Sequence, residues 1–197
     1  MLLQLNDKEF YLKIDSVGTL QNVLDKIEEE MTERFVISRI IINDKELNND
    51  WHDNIDSVFV LDEDIVKVLT KDPFDAGKET FDSSQDYLYR LIEDLEMTAD
   101  KFRMEDEAVA NRNFVQSIEN IQLYLNTLTQ SMMLMGRSMN RLVIDNLTFD
   151  EYVNVFAGKL SEMTDIQQQK DWVLLADMIQ YELIPVLKKL EVIYKLI

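Results

Sequence analysis

The spacing of apolar residues changes three times along the chain, and each change marks a change of element. Leu3 and Leu5, then Phe10, Leu12 and Ile14, alternate with polar residues on either side of NDKE. This predicts a β-hairpin that turns at Asn6 and Asp7. Behind Thr19, a candidate N-cap, Leu20, Val23, Leu24, Ile27 and Met31 recur at helical spacing and leave Glu28, Glu29, Glu30 and Glu33 for solvent. The period then reverts to two: VISRIIIND is β-branched and ends in a second Asn-Asp turn, and VFVL and IVKVL read as short strands.

The stretch DPFDAGKETFDSS, which holds one of two prolines and one of four glycines, separates this region from a second one with a different rhythm. Leu88, Ile92, Leu95, Ala99 and Phe102 step by four and three, starting just after Asp82, Ser83 and Ser84, and predict a first helix. RMEDEAVANRN is polar apart from small residues and is read as a helix-to-helix connection. Phe114, Ile118, Ile121, Leu125, Leu128, Met132, Met135, Met139 and Leu142 keep the same stepping, so a long second helix is expected. Thr148 with Glu151 has the spacing of a capping box and opens a third helix on Tyr152, Phe156, Leu160 and Met163. Thr164 with Gln167 repeats that spacing and predicts the start of a fourth, on Trp172, Ala176, Ile179, Leu183, Val186, Leu190, Ile193 and Ile197. Pro185 falls inside this last stripe, where it removes a hydrogen bond to the carbonyl of Tyr181 and predicts a kink.

The expected architecture is therefore α+β, with a small N-terminal domain over residues 1–71, a linker at 72–81, and an all-α antiparallel bundle of about four helices over 82–197. In residues 1–71 the order is hairpin, helix, further strands. The helix opens as TLQNVLDKI, and RIIINDKELN supplies a strand, a tight turn and a short strand. In these features the region resembles the ubiquitin-like β-grasp family. The resemblance implies a fold that often serves as a binding module. No diglycine tail follows Lys71, so conjugation to other proteins is not implied.

Composition narrows the function. At 197 residues and 46% hydrophobic content the chain has enough apolar mass for a sizeable core. Its formal charge of -18 repels phosphates and anionic lipid surfaces, so neither nucleic acid nor membrane is expected as a partner. The lack of cysteine removes thiolate chemistry and suits a reducing compartment, and MLLQLNDKEF does not read as a secretory leader, so a cytoplasmic location is expected. Four scattered glycines make neither a phosphate loop nor a dinucleotide fingerprint. The only histidine, His52, lies in NNDWHDN between Asp50 and Asp53, a crowded spacing that favours a solvated loop over a metal centre. Glu93, Asp94, Glu96 and Asp100 lack the Glu-x-x-His partners of a di-iron bundle and read as a solvated face. No enzymatic activity is expected, and no cofactor.

Two features invite a binding role. Ser131 to Met139 reads SMMLMGRSM; Met132, Met135 and Met139 lie on the apolar seam and Met133 off it. Core packing is favoured, with an adaptable partner groove as its rival. Gly136 points to close packing, a kink or a break. Trp172, Tyr181 and Glu182 around the Pro185 kink are the second candidate contact. The expectation is a non-enzymatic protein-binding adaptor or chaperone-like protein, which takes an amphipathic helix in an apolar helical groove on an acidic surface, or pairs as a homodimer. The alternative is a carboxylate-based metal or small-molecule binding protein, catalytic or not, using the Asp50–Asp56 loop or a site between helices.

Overall fold

The hairpin forms where the alternation places it. Strands β1 (Leu2–Leu5) and β2 (Lys8–Tyr11) pair antiparallel around Asn6, whose φ is +52°. The Asn6 carboxamide ties this turn to Thr70: its Oδ1 accepts the Thr70 N–H at 2.9 Å and its Nδ2 donates to Thr70 Oγ1 at 2.9 Å. The computed structural model describes residues 1–11, 17–31, 33–104 and 107–197. The expected core positions Leu12 and Ile14 lie outside the described residues. The chain divides into two compact units, Met1–Ala76 and Gly77–Ile197, and is mixed α+β, with an N-terminal sheet and several helices.

In the first unit, β3 (Val17–Thr19) leads into α1 (Leu20–Glu30). Thr19 caps α1 as expected: its side chain accepts from the Asn22 N–H, while Asn22 Oδ1 accepts from the Thr19 N–H at 3.0 Å. β4 (Val36–Ile42) turns through Asn43 and Asp44, at φ +48° and +64°, into β5 (Lys45–Glu46). Two consecutive left-handed residues are what a two-residue hairpin turn requires. After a 3₁₀ segment, Asn49–Ser57, come β6 (Phe59–Leu61) and β7 (Ile65–Lys71). The main sheet has the order β2-β1-β7-β4-β5, with β1 and β7 parallel at its centre, and β3 pairs with β6 separately. Leu3, Leu5, Ile40, Val66 and Val68 meet Leu20, Val23, Leu24 and Ile27 of α1 in one buried cluster.

The expected linker is helical. α2 runs Pro73–Arg103, because Asp72 Oδ1 accepts the Phe74 N–H at 2.8 Å and Pro73 sits at the first helical position, where its missing donor is harmless. The proline that reads as a boundary is a helix start. α3 (Glu107–Leu134) is shorter than the seam predicts. It ends in a Schellman cap: Gly136 takes φ +70°, its N–H donates to Met133 O at 3.0 Å, and the Arg137 N–H donates to Met132 O at 2.9 Å. Of the three readings of Gly136, a break is the one realised. Met139 then lies in a 3₁₀ turn (Met139–Arg141), and β8 (Val143–Ile144) turns through Asp145 and Asn146, at φ +54° and +65°, into β9 (Leu147–Thr148).

α4 (Phe149–Gln169) opens on the Thr148–Glu151 capping box, as predicted. Thr164 opens nothing: α4 passes through it, and its hydroxyl donates to Leu160 O at 2.9 Å, a bond made inside a helix. The true break is Lys170, at φ +59°, followed by Asp171, whose carboxylate accepts the Leu174 N–H at 3.1 Å. α5 (Trp172–Met178), a π turn (Ile179–Leu183), α6 (Ile184–Lys189), a 3₁₀ turn (Leu190–Val192) and α7 (Ile193–Leu196) continue as one helical run, since the residues joining them are right-handed. Pro185 follows directly on the π turn, in which the Ile184 N–H reaches back to Ile179 O.

Neighbouring helices run antiparallel. Gly77 on α2 faces Ser131 near the end of α3. Asn111 on α3 accepts from Gln167 on α4 at 2.6 Å, and Tyr152 on α4 donates to Val186 O. On the last run, Trp172 stacks on Phe102 of α2, while Tyr194 meets Ser84 at the other end of α2. One continuous apolar core fills the space between them.

Candidate functional site

The methionine stretch is core. Met132, Met135 and Met139 are buried in the helical cluster, and only Met133, 69% exposed, faces solvent. A partner helix would find no groove of methionines here, because the Schellman cap folds the chain back over them. The second candidate does not converge either. Trp172 is half-buried against Phe102, with ring centroids 5.5 Å apart, whereas Tyr181 is exposed on another side of the helix and Glu182 pairs with Lys159 at 2.5 Å. Tyr181 and Glu182 lie within the π turn that precedes Pro185. The side chains of Asp50, His52 and Asp53 lie outside the described residues. Among the described residues, no group of three or more His, Asp or Glu side chains could hold a metal ion. Glu96 pairs with Lys188 at 3.4 Å and Asp100 with Arg103 at 3.3 Å, which fits the solvated-face reading.

Sequence reasoning passed over a chain of hydroxyls. Ser84 Oγ donates to Phe81 O at 2.6 Å, so its single proton is taken and the 2.6 Å contact with Tyr194 Oη must be a donation from the tyrosine. That in turn makes Tyr124 Oη the donor in its 3.0 Å contact with Tyr194 Oη. Protons therefore run one way, Tyr124 to Tyr194 to Ser84 to a backbone carbonyl. Burial, reinforced for Tyr124 by the neighbouring Tyr194, raises both phenols above the ordinary tyrosine value. The two ends of the hydroxyl chain, Ser84 and Tyr124, line a furrow of about 280 Å³ between α2 and α3, together with Thr80, Tyr87, Arg90, Leu123 and Thr127. The Arg90 guanidinium lies 5.9 Å from the Tyr87 ring centroid. Neutral phenols, each committed as a donor, supply neither base nor nucleophile, so this furrow is a structural seam rather than a reaction site.

The main sheet of the first unit offers a different kind of surface. Strand alternation turns Leu3, Leu5, Ile40, Val66 and Val68 towards α1, and with the same period it turns Leu2, Ile41, Ile65 and Leu69 away from it. Cross-strand register aligns Tyr11, Leu2 and Ile65 in one row over β2, β1 and β7. Tyr11 is 85% exposed and Ile65 46% exposed. Arg39, opposite Leu69, and Lys67, opposite Ile41, bring positive charge to this face, and Glu9, opposite Gln4, and Glu46, opposite Ile41 and 3.8 Å from Arg39, bring negative charge. The signal was present in the sequence: RIII and IVKVL carry apolar residues at adjacent positions, and a strand with apolar neighbours is apolar on both faces.

No curated protein and no solved structure matches this chain. Residues 79–193, most of the helical unit, match a family described as Domain of unknown function (DUF8042), and the chain belongs to that family.

Proposed function

We propose that the protein is a non-enzymatic protein-binding adaptor, in which a β-grasp-like N-terminal module presents its sheet to a partner and an antiparallel four-helix bundle accompanies it. A central parallel pair flanked by antiparallel strands, with one helix across one face, supports the β-grasp reading of the first unit. The antiparallel order of neighbouring helices around one core supports the bundle reading of the second. The observation that carries the functional proposal is the outward face of the sheet, where apolar side chains persist on the side that α1 does not cover. An exposed apolar surface of this kind on an otherwise charged chain marks a contact site. Lys67 and the Arg39–Glu46 pair among these apolar residues favour a partner segment that is apolar at its centre and brings polar groups of both signs to its rim. The charge of -18 disfavours nucleic acid and anionic membrane, and the lack of cysteine suits the cytoplasm. No described helix is long and apolar enough to cross a membrane.

The test is affinity capture with the full chain beside a Tyr11→Ser, Ile65→Ser double variant, with circular dichroism as the fold control. Both residues are exposed, so the variant keeps its core. A protein retained by the wild type in near-stoichiometric amount and lost by the folded variant is the expected result. Identical capture by the two chains would overturn the proposal.

A further inference from the structure

α2 and α3 are neighbours of similar length, 31 and 28 residues, and their outer faces differ in kind. On α2, fifteen residues are exposed, of which eight are acidic and two basic. On α3, ten residues between Val115 and Leu134 are exposed, and Glu119 is the only charged one. Charged residues make up 29% of the chain, so their absence here is local. Solubility alone gives no reason to clear one helix face of charge, whereas the centre of a protein–protein interface is depleted of charge and tolerates methionine.

The clearing extends onto α4. Asn154, Ala157, Gly158 and Ser161 share one exposed helical face and carry no charge. This face adjoins that of α3, because Leu125, Asn126 and Thr129 line a common furrow with Phe149, Asp150, Val153 and Asn154, in which Asp150, on the first turn of α4, is the one charged residue. Gly158 is an independent sign. It lies inside α4, where glycine weakens a helix, yet a Cβ built on it would meet nothing within 4 Å. Nothing within the chain accounts for this glycine, but the close approach of another molecule would.

We infer that the uncharged faces of α3 and α4 form a docking surface for a second copy of this chain, related by a two-fold axis. Charge selects this occupant. A basic partner would be drawn to the eight exposed carboxylates of α2, whereas two chains of charge -18 repel one another less on a helical face that carries few carboxylates, here Glu119 with Asp150 at its edge. The register also suits self-pairing. The outer seam Val115, Glu119, Gln122, Asn126, Thr129 and Met133 steps by four and three and is symmetric about position 124. Two antiparallel copies of α3 then set Val115 against Met133, Glu119 against Thr129, and Gln122 against Asn126. Apolar groups meet at the ends and amides at the centre, as an isologous contact requires. Twenty residues of helix give a face on the order of 30 Å long, and two helices of width bring it to the scale of a standard interface, roughly 800 Å² per partner.

Sedimentation equilibrium on the full chain tests this. The wild type is expected at twice its 23.2 kDa mass. Gln122→Glu with Asn126→Glu, which places two new negative charges at the centre of each face, is expected to return it to a single chain with an unchanged circular dichroism spectrum. Ser83→Glu on the already charged α2 serves as the control and should leave the dimer intact. Gly158→Ala keeps the proposal testable should the double variant misfold: it should raise the melting temperature of the dissociated chain yet weaken dimerisation at least tenfold. A wild type that stays monomeric at high concentration overturns a second copy as the occupant, as does a dimer that the Glu variant and Gly158→Ala leave unaffected. Because the sheet residues of the adaptor proposal are untouched, partner capture and dimerisation can fail separately.

Discussion

The two compact units bury different things. Among the described residues, the buried side chains of the N-terminal unit are all apolar, whereas the helical unit also buries Ser84, Thr98, Ser117 and Ser131, together with the phenols of Tyr124 and Tyr152. Each buried hydroxyl with a described bond turns to a helical carbonyl or to another hydroxyl: Thr98 to Asp94 O at 2.7 Å, Ser131 to Leu128 O at 2.8 Å, and Tyr152 to Val186 O. Among the described side chains, no buried nitrogen or oxygen lacks a partner. The core of the first unit is therefore held by shape and apolar area, its side-chain bonds such as Asn6 to Thr70 lying at the surface, whereas the core of the second adds a set of buried directional bonds. Helices pass close to one another in the second unit, and a small hydroxyl fits where a larger apolar group would not. Gly77 takes this furthest, since a Cβ there would lie 2.7 Å from Ser131 O.

Removing apolar volume should damage both units alike and sets the upper end of the scale. Leu128→Ala in the helical unit and Ile27→Ala in the first, both at fully buried positions, should each cost about 2–5 kcal/mol. Chemical denaturation monitored by hydrogen exchange in each unit would check this. A much smaller loss at Ile27 would break the picture of a first unit whose core relies on apolar packing.

Alkali should separate the units. Burial raises Tyr124, Tyr152 and Tyr194 above their ordinary value, so the folded chain retains protons that the unfolded chain releases near pH 10. The stability these phenols contribute is complete below about pH 10 and is lost as the pH rises through it. All three belong to the helical unit, while Tyr11 of the first unit is exposed. Exchange protection is expected to fall first in the helical unit as the pH is raised. Tyr194→Phe should cost about 1–3 kcal/mol at neutral pH, because it leaves the Tyr124 hydroxyl without its acceptor. It should also flatten the alkaline decline.

The smallest effect discriminates between two identical sequence signals. Thr148→Ala should cost about 1 kcal/mol, since it removes a working cap, whereas Thr164→Ala should change stability by less than about 0.5 kcal/mol. Thermal unfolding of the two variants measures the difference.

These paired threonines also show where the sequence was legible. The capping pattern is necessary but becomes a cap only if its first residue leaves helical geometry. At Thr164 the apolar stripe continues through Met163 to the half-buried Ile166, and packing holds the helix together. The seams themselves were readable throughout: Leu88, Ile92, Leu95, Ala99 and Phe102 are all buried, as are Ala176, Ile179, Leu183, Val186, Leu190 and Ile193. Helix ends were harder to read, because Gly136, Lys170 and Pro73 each depend on one local conformation that periodicity does not encode. Surfaces were the least legible. A search for reactive side chains overlooks a sheet face defined by register and a helix face defined by the charge it lacks.

The placement of the two tryptophans has an optical consequence. Trp51 packs at the edge of the first unit's core, and Trp172 stacks on Phe102 in the second, so each compact unit holds one indole of the two in the chain. Either single Trp→Phe replacement leaves a chain whose tryptophan emission, excited selectively beyond the tyrosine absorption band, comes from one unit alone. The unlabelled protein thereby carries its own pair of fluorophores, through which unfolding, quenching or partner docking can be assigned to one half of the molecule by emission wavelength and lifetime.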